Sequence, residues 1–404
     1  MDKLLNLEYG AVFGIYWMLY AVFFSFSSVF LLPLGYSNSE IGFIMSLSSV
    51  LAFFLEAPLA DLADRSKRFT LTRITEIMTV LIMILSLEMF FVKGRSLVLF
   101  VFYIIFLALH TAMQPLFNAL NFKLERCGAH VNFGACRSAG SLMYSAASAV
   151  LGTVVAAVGT TVIPISGEAG CALLIVSLVL VSRQYRKILA KNGGEERVEE
   201  KKESETIGLA LFVKRNKLFF VLNLGVLLMF FFNQVLNGFA LQILQNVGGG
   251  SRELGTTLAL LAFLEIPTMF AYDWLNKKFS NTFLVRVGAV GFTLKAVTVW
   301  LARTPWVIEA AQGFSLIAFG LFLPAIVHYI NEIMDEGEAV KGQALYAMMT
   351  MIATVISSAV GGVILDVSGA GMLLMITAIL SICGTVVVLL TAGRVRDQKL
   401  AARS

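Results

Sequence analysis

Charged side chains make up only 14% of the 404 residues, and cysteine (four), histidine (three) and proline (seven) are nearly as sparse. Each shortage excludes something. With 58% hydrophobic residues and a mean hydropathy of +0.83, the chain is too apolar to remain in water as a folded domain of this length. Cys127, Cys136, Cys171 and Cys383 show no paired spacing, so neither a disulfide framework nor a zinc site is indicated. The chain lacks Gly-x-Ser-x-Gly, His-Glu-x-x-His, P-loop and Cys-x-x-Cys motifs, which argues against an enzyme and against direct drive by ATP. No loop but 183–216 is longer than about 20 residues, so a receptor with a soluble output domain is not expected.

What is there is a series of apolar windows. A membrane-crossing helix needs ~20 mostly apolar residues, and such windows occur at 9–34, 39–63, 70–92, 97–121, 131–158, 161–182, 217–246, 254–272, 282–302, 305–330, 341–365 and 370–393. The first lacks a cleavage-type small-residue motif, so it reads as an anchor and not a removed signal peptide. Twelve spans put both termini on one side. Of the 31 Lys and Arg residues, Lys93, Arg95, Arg252 and Arg303 fall on the far side and Arg137 and Lys295 lie within spans. The rest gather on the side of the termini, which the positive-inside rule makes cytoplasmic. The asymmetry accounts for the net charge of +5 without a nucleic-acid partner.

The one long polar stretch, 183–216, contains Gly193-Gly194-Glu195-Glu196-Arg197 and continues in charged residues to Glu205. It cannot support a core and reads as a solvated linker. The expected organisation is a six-helix bundle over 1–182, the linker at 183–216, a second six-helix bundle over 217–393 and a cytoplasmic tail at 394–404. The halves echo each other: Leu51-Ala52-Phe53-Phe54-Leu55-Glu56-Ala57-Pro58 recurs as Leu261-Ala262-Phe263-Leu264-Glu265-Ile266-Pro267, with Asp64 and Asp273 each eight residues after the Glu. The economical explanation is a duplicated unit, a form that places a solute site near mid-membrane.

Ionisable groups inside a bilayer cost several kcal/mol unless they pair or face water, so each one is a functional candidate. Glu265 and Lys295 sit eight and nine residues from the basic side, roughly 12–14 Å deep at 1.5 Å per residue, and on adjacent antiparallel helices they can meet. They form a candidate proton-coupling pair or, alternatively, a fixed structural ion pair; Glu56 is the first-half counterpart. Arg137 heads a helical face carrying Ser141, Tyr144, Ser145 and Ser148, which serves either solute binding or helix packing. Span 4 carries His110, Gln114, Asn118, Asn121 and Glu125 on one stripe; span 7 carries Asn233 and Asn237, and span 11 Tyr346. Amides, hydroxyls and aromatics in such stripes suit a neutral or weakly charged polar solute.

The loop Ala60-Asp61-Leu62-Ala63-Asp64-Arg65-Ser66-Lys67-Arg68 resembles the signature loop of the major facilitator superfamily, with Ala60 and Lys67 where that family has glycine. The resemblance implies an all-α membrane protein of twelve transmembrane helices in two pseudo-symmetric bundles. It also implies a secondary transporter working by alternating access, functional as a monomer in the cytoplasmic (inner) membrane, and powered by a proton gradient with no cofactor. Asp64, Arg65, Arg68 and Asp273 then become candidate gating residues. Phe133-Gly134-Ala135-Cys136-Arg137-Ser138-Ala139-Gly140 resembles the helix 5 segment of lactose-permease-like proton symporters, which sets Arg137 on their sugar-binding arginine, Glu265 on the helix 8 carboxylate and Lys295 on the helix 9 arginine. Asn118, Gln312 and Ser315 occupy positions where those symporters have a carboxylate, a histidine and a coupling glutamate. The expected function is proton-coupled symport of a small polar organic solute such as a sugar or nucleoside. A proton-driven exporter is the alternative, kept open by Tyr16, Trp17, Tyr20 and Phe230 to Phe232.

Overall fold

The computed structural model describes residues 2–65, 70–126, 129, 131–191 and 209–401, and among these every regular element is helical. The chain divides into two compact units, Met1–Glu200 and Lys201–Ser404.

In the first unit the spans are α1 (Asp2–Tyr20), α2 (Asn38–Arg65), α3 (Leu71–Ser86), α4 (Leu97–Arg126), α5 (Phe133–Val158) and α6 (Val162–Lys191). Helix α1 packs on α5 and α6, and α4 packs on α2 and α3. The second unit holds α7 (Lys217–Gln245), α8 (Ser251–Lys278), α9 (Asn281–Leu301) and α10 (Phe319–Ile333). A final helical stretch, Glu336–Ala401, breaks at Gly369, whose φ of +77° reverses the chain. It therefore supplies two helices, α11 (336–368) and α12 (370–401), within a stretch, Gly337–Lys399, that is long and apolar enough to cross a bilayer. The core of this unit is an aromatic cluster in which Phe230 of α7 lies against Phe292 of α9 and Phe319 and Phe322 of α10.

Helices outrun the apolar windows. Helix α1 begins at Asp2, not near residue 9; α6 continues to Lys191 through residues the polarity assigns to the linker; and Leu209–Arg215 is helical just before α7. Hydropathy marks the bilayer, whereas backbone hydrogen bonding carries a helix on into water.

Three helices are irregular. After Tyr20 the first span opens into a π-helical turn, Ala21–Ser25, closed by a hydrogen bond from the Phe26 amide to the Ala21 carbonyl at 3.0 Å. The α7 backbone departs from helical geometry at Phe239. The tenth span starts as a short helix, Pro305–Ala311, tightens to a 3-10 turn at Gln312–Leu316, and resumes as α10 after Ala318, whose ψ is −95°. Pro58 in α2 and Pro267 in α8 each stand two residues after a candidate Glu. Proline has no N–H to donate four residues back, so Phe54 and Phe263 lose their usual carbonyl partner two residues before Glu56 and Glu265.

Candidate functional site

In the first unit the candidates converge on the π-helical turn. Arg137 of α5 places its guanidinium 4.7 Å from the centre of the Trp17 ring on α1. Tyr144, two turns further along α5, is hydrogen-bonded through its hydroxyl to Ser25 Oγ of the π turn at 2.9 Å. Its ring lies 6.3 Å from Tyr20 and 6.5 Å from Trp17. On the other flank Tyr16 stacks on His110 of α4, with centroids 4.4 Å apart and planes at 4°. His110 Nε2 donates to the Tyr16 carbonyl at 3.2 Å, because a carbonyl only accepts. Arg137 and Glu56 both act electrostatically on the Tyr16 hydroxyl. Single-turn π bulges concentrate at functional positions, and here the bulge supplies Ser25 to the Tyr144 hydroxyl and Phe24 to the face of the Tyr20 ring. Gln114 and Asn118 are half-buried on the α4 face that carries His110.

The second unit assembles a different set. Lys295 of α9 is only 1% exposed, and its Nζ donates to Ser315 Oγ in the 3-10 turn at 2.8 Å. Glu265 of α8, 9% exposed, acts electrostatically on Lys295. Gln312 is fully buried and gives its Nε2–H to the Ile308 carbonyl at 2.8 Å. Two close backbone approaches allow this arrangement. A Cβ on Gly291 would meet the Ala318 amide nitrogen at 2.8 Å, and one on Gly320 would meet the Glu265 carbonyl oxygen at 2.9 Å, so any larger residue forces α9 or α8 away from the broken span.

Elsewhere in this unit Asn237 Nδ2 donates to Gln234 Oε1 at 3.4 Å, and Gln234 in turn donates to Thr354 Oγ1, joining α7 to α11. Asn233 is buried on α7. Tyr346 is buried edge-on to Phe230, with centroids 6.2 Å apart, against the aromatic core.

Of the gating candidates, Asp273 is exposed at the end of α8. It adjoins a chain of bonds in which the Tyr272 hydroxyl donates to Asn281 Oδ1 at 2.5 Å, Asn281 Nδ2 donates to Glu332 at 2.8 Å, and Glu332 meets Arg396 at 3.2 Å. Asp64 and Arg65 end α2, but their side chains lie outside the described residues, as does the whole of Arg68.

In the sequence Tyr16, Trp17 and Tyr20 serve only to keep the exporter alternative open, and no binding role falls on them. The spacing of three residues from Trp17 and four from Tyr16 to Tyr20 on a single helix was the available signal that Tyr20 shares a face with each of them. Ser315 was noted for what it replaces, and its bond to Lys295 is legible only in three dimensions.

The model of the MFS_1 like family matches residues 8–390. An uncharacterised transporter of Bacillus subtilis (strain 168), YwbF, is 23% identical over 356 residues, covering 86% of this chain and 83% of its own. Two solved structures of the nucleoside transporter NupG, one of them of a single-site mutant, superpose with a TM-score of 0.76 over 96% of this chain and 98% of theirs, at 15% and 14% identity. At that identity the likeness is one of fold.

Proposed function

Since this chain belongs to the MFS_1 like family of membrane transporters, we propose that it carries a small polar organic solute by proton-coupled symport, through alternating access between its two units. The observation that carries the reading is Lys295, an ammonium group almost wholly buried in a membrane-spanning bundle with Glu265 in electrostatic reach. Burying charge costs several kcal/mol per ion after relaxation, and a pair whose carboxylate gains and loses a proton puts that cost to use. Glu265 is the coupling carboxylate, Lys295 its partner, and Glu56 a secondary titrating group beside the aromatic cluster.

The solute-binding candidates are Arg137, Tyr144, Gln114 and Asn118 within the first unit, and Asn233, Asn237, Gln312 and Tyr346 within the second. A guanidinium, amides and aromatic faces suit a sugar or a nucleoside. The fold shared with a nucleoside transporter puts nucleosides first for trial. Asp64, Arg65, Arg68 and Asp273 act as gating charges. The chain works as a monomer in the inner membrane with both termini in the cytoplasm, and it moves its solute without chemical change.

The test is a pH measurement on purified protein in liposomes, offering nucleosides, sugars and lipophilic cations in turn. Alkalinisation of the outside as a neutral solute enters supports symport. Proton movement in the opposite sense with a lipophilic cation supports export instead, the reading that the Tyr16, Trp17, Tyr20 and Tyr144 cluster sustains.

A further inference from the structure

The Lys295 ammonium needs partners in both states of the carboxylate beside it. It has three N–H donors, and one of them goes to Ser315 Oγ, a neutral acceptor on the 3-10 turn. In a 3-10 helix residues i and i+3 eclipse each other, so Gln312 and Ser315 share one edge of that turn. Gln312 spends its Nε2–H on the Ile308 carbonyl, while its buried Oε1 has no hydrogen-bond partner among the described residues. Both side chains are fully buried. Helix α9 packs against α7, the broken tenth span and the 336–401 stretch, and α8 packs on the same broken span; from these elements only Glu265 of α8 puts a charge in electrostatic reach of Lys295 among the described residues.

Resting on the symport reading above, we infer that Ser315 is a positioning residue which, with Gln312 Oε1 as a second acceptor, holds the Lys295 ammonium in place while Glu265 is protonated. The proton enters from one aqueous phase, sits on Glu265 and leaves to the other, and Lys295 keeps its three N–H throughout. With a carboxylate at position 315 the lysine would have a second permanent counter-charge, and protonation of Glu265 would hardly alter its surroundings. A hydroxyl retains the lysine without competing for the proton. Because the acceptors sit on the irregular turn of the tenth span, whatever holds Lys295 also holds that turn against α9, where Gly291 brings the two backbones together.

The experiment compares solute counterflow, which needs no net proton movement, with pH-driven accumulation in the same proteoliposomes. Ser315→Ala is expected to keep counterflow within about twofold of the parent while accumulation falls at least about tenfold. Ser315→Thr, which keeps the hydroxyl, restores accumulation. Ser315→Cys, whose thiol is a weak acceptor, falls between the two and decides the matter if the alanine variant does not reach the membrane. Equal loss of both activities in the Ala and Cys variants, or accumulation retained in both, overturns the positioning role. A parent protein that shows counterflow but no pH-driven accumulation overturns the symport reading itself, a result distinct from either.

Discussion

Arg137 and Trp17 come from helices more than a hundred residues apart, yet the guanidinium of one lies 4.7 Å from the ring centre of the other. The pair sets a cation, held on a π face, beside a π-helical turn and the Tyr144 hydroxyl. Trp17→Ala is expected to raise the KM for solute about tenfold, equivalent to ~1.4 kcal/mol and within the span of a partly desolvated cation–π contact. Trp17→Phe keeps a ring and stays within about threefold. Concentration-dependent uptake of labelled solute measures both, and an unchanged KM in the alanine variant removes this cluster from the solute pathway.

Coupling through Glu265 makes a separate prediction. Glu265→Gln abolishes pH-driven accumulation and leaves counterflow, because the amide binds no proton and carries no charge. Accumulation that survives the substitution shifts the coupling role to Glu56.

The buried charges also set stability. Lys295→Met leaves Glu265 without its cation, and losing one partner of a buried pair costs ~3–5 kcal/mol. The double change Lys295→Met with Glu265→Gln is expected to recover most of that loss in the thermal unfolding of detergent-solubilised protein. A double variant no more stable than the single one contradicts the pairing.

Gly291 tests the packing beneath the site. A Cβ there meets the Ala318 amide nitrogen at 2.8 Å, so Gly291→Val forces α9 off the broken span and costs about 1–3 kcal/mol by overpacking. Thermal unfolding checks this, and an unaltered midpoint means the two helices are not held in contact.

Away from the bilayer centre, Tyr36 fastens two loops of the first unit. Its hydroxyl donates to the Ser96 carbonyl at 2.6 Å and accepts from the Ser96 amide at 3.1 Å, beside an ion pair of Glu40 and Arg95 at 2.5 Å. Tyr36→Phe is expected to cost about 1–3 kcal/mol, because two backbone groups lose their partner. The loss should appear in thermal stability with KM unaltered.

The spans were legible because bilayer thickness imposes a length and an apolar composition on each of them, and the order of the twelve follows from composition alone. The repeat around Glu56 and Glu265 was equally readable, since it survives as a closely similar string of residues and, in the fold, as a proline two positions after each carboxylate. Helix ends were less legible: α6 runs to Lys191 because hydrogen bonds, and not hydropathy, decide where a helix stops.

The candidate site divides along the same line. Arg137, Glu265 and Lys295 stood out in the sequence because a charge in an apolar window is conspicuous, and its cost is a property of the residue itself. That Arg137 rests on Trp17, that Tyr144 reaches Ser25, and that Lys295 bonds to Ser315 depended on where the chain leaves regular helix, at Ala21–Ser25 and at Gln312–Leu316. Those departures rotate side chains out of the 3.6-residue register from which faces are read. The sequence by itself determined that the chain crosses the membrane, how many times, and which few ionisable groups go with it. Only the tertiary structure decided what each of those groups touches, because partners from distant helices meet by packing, and packing leaves no period in a single chain.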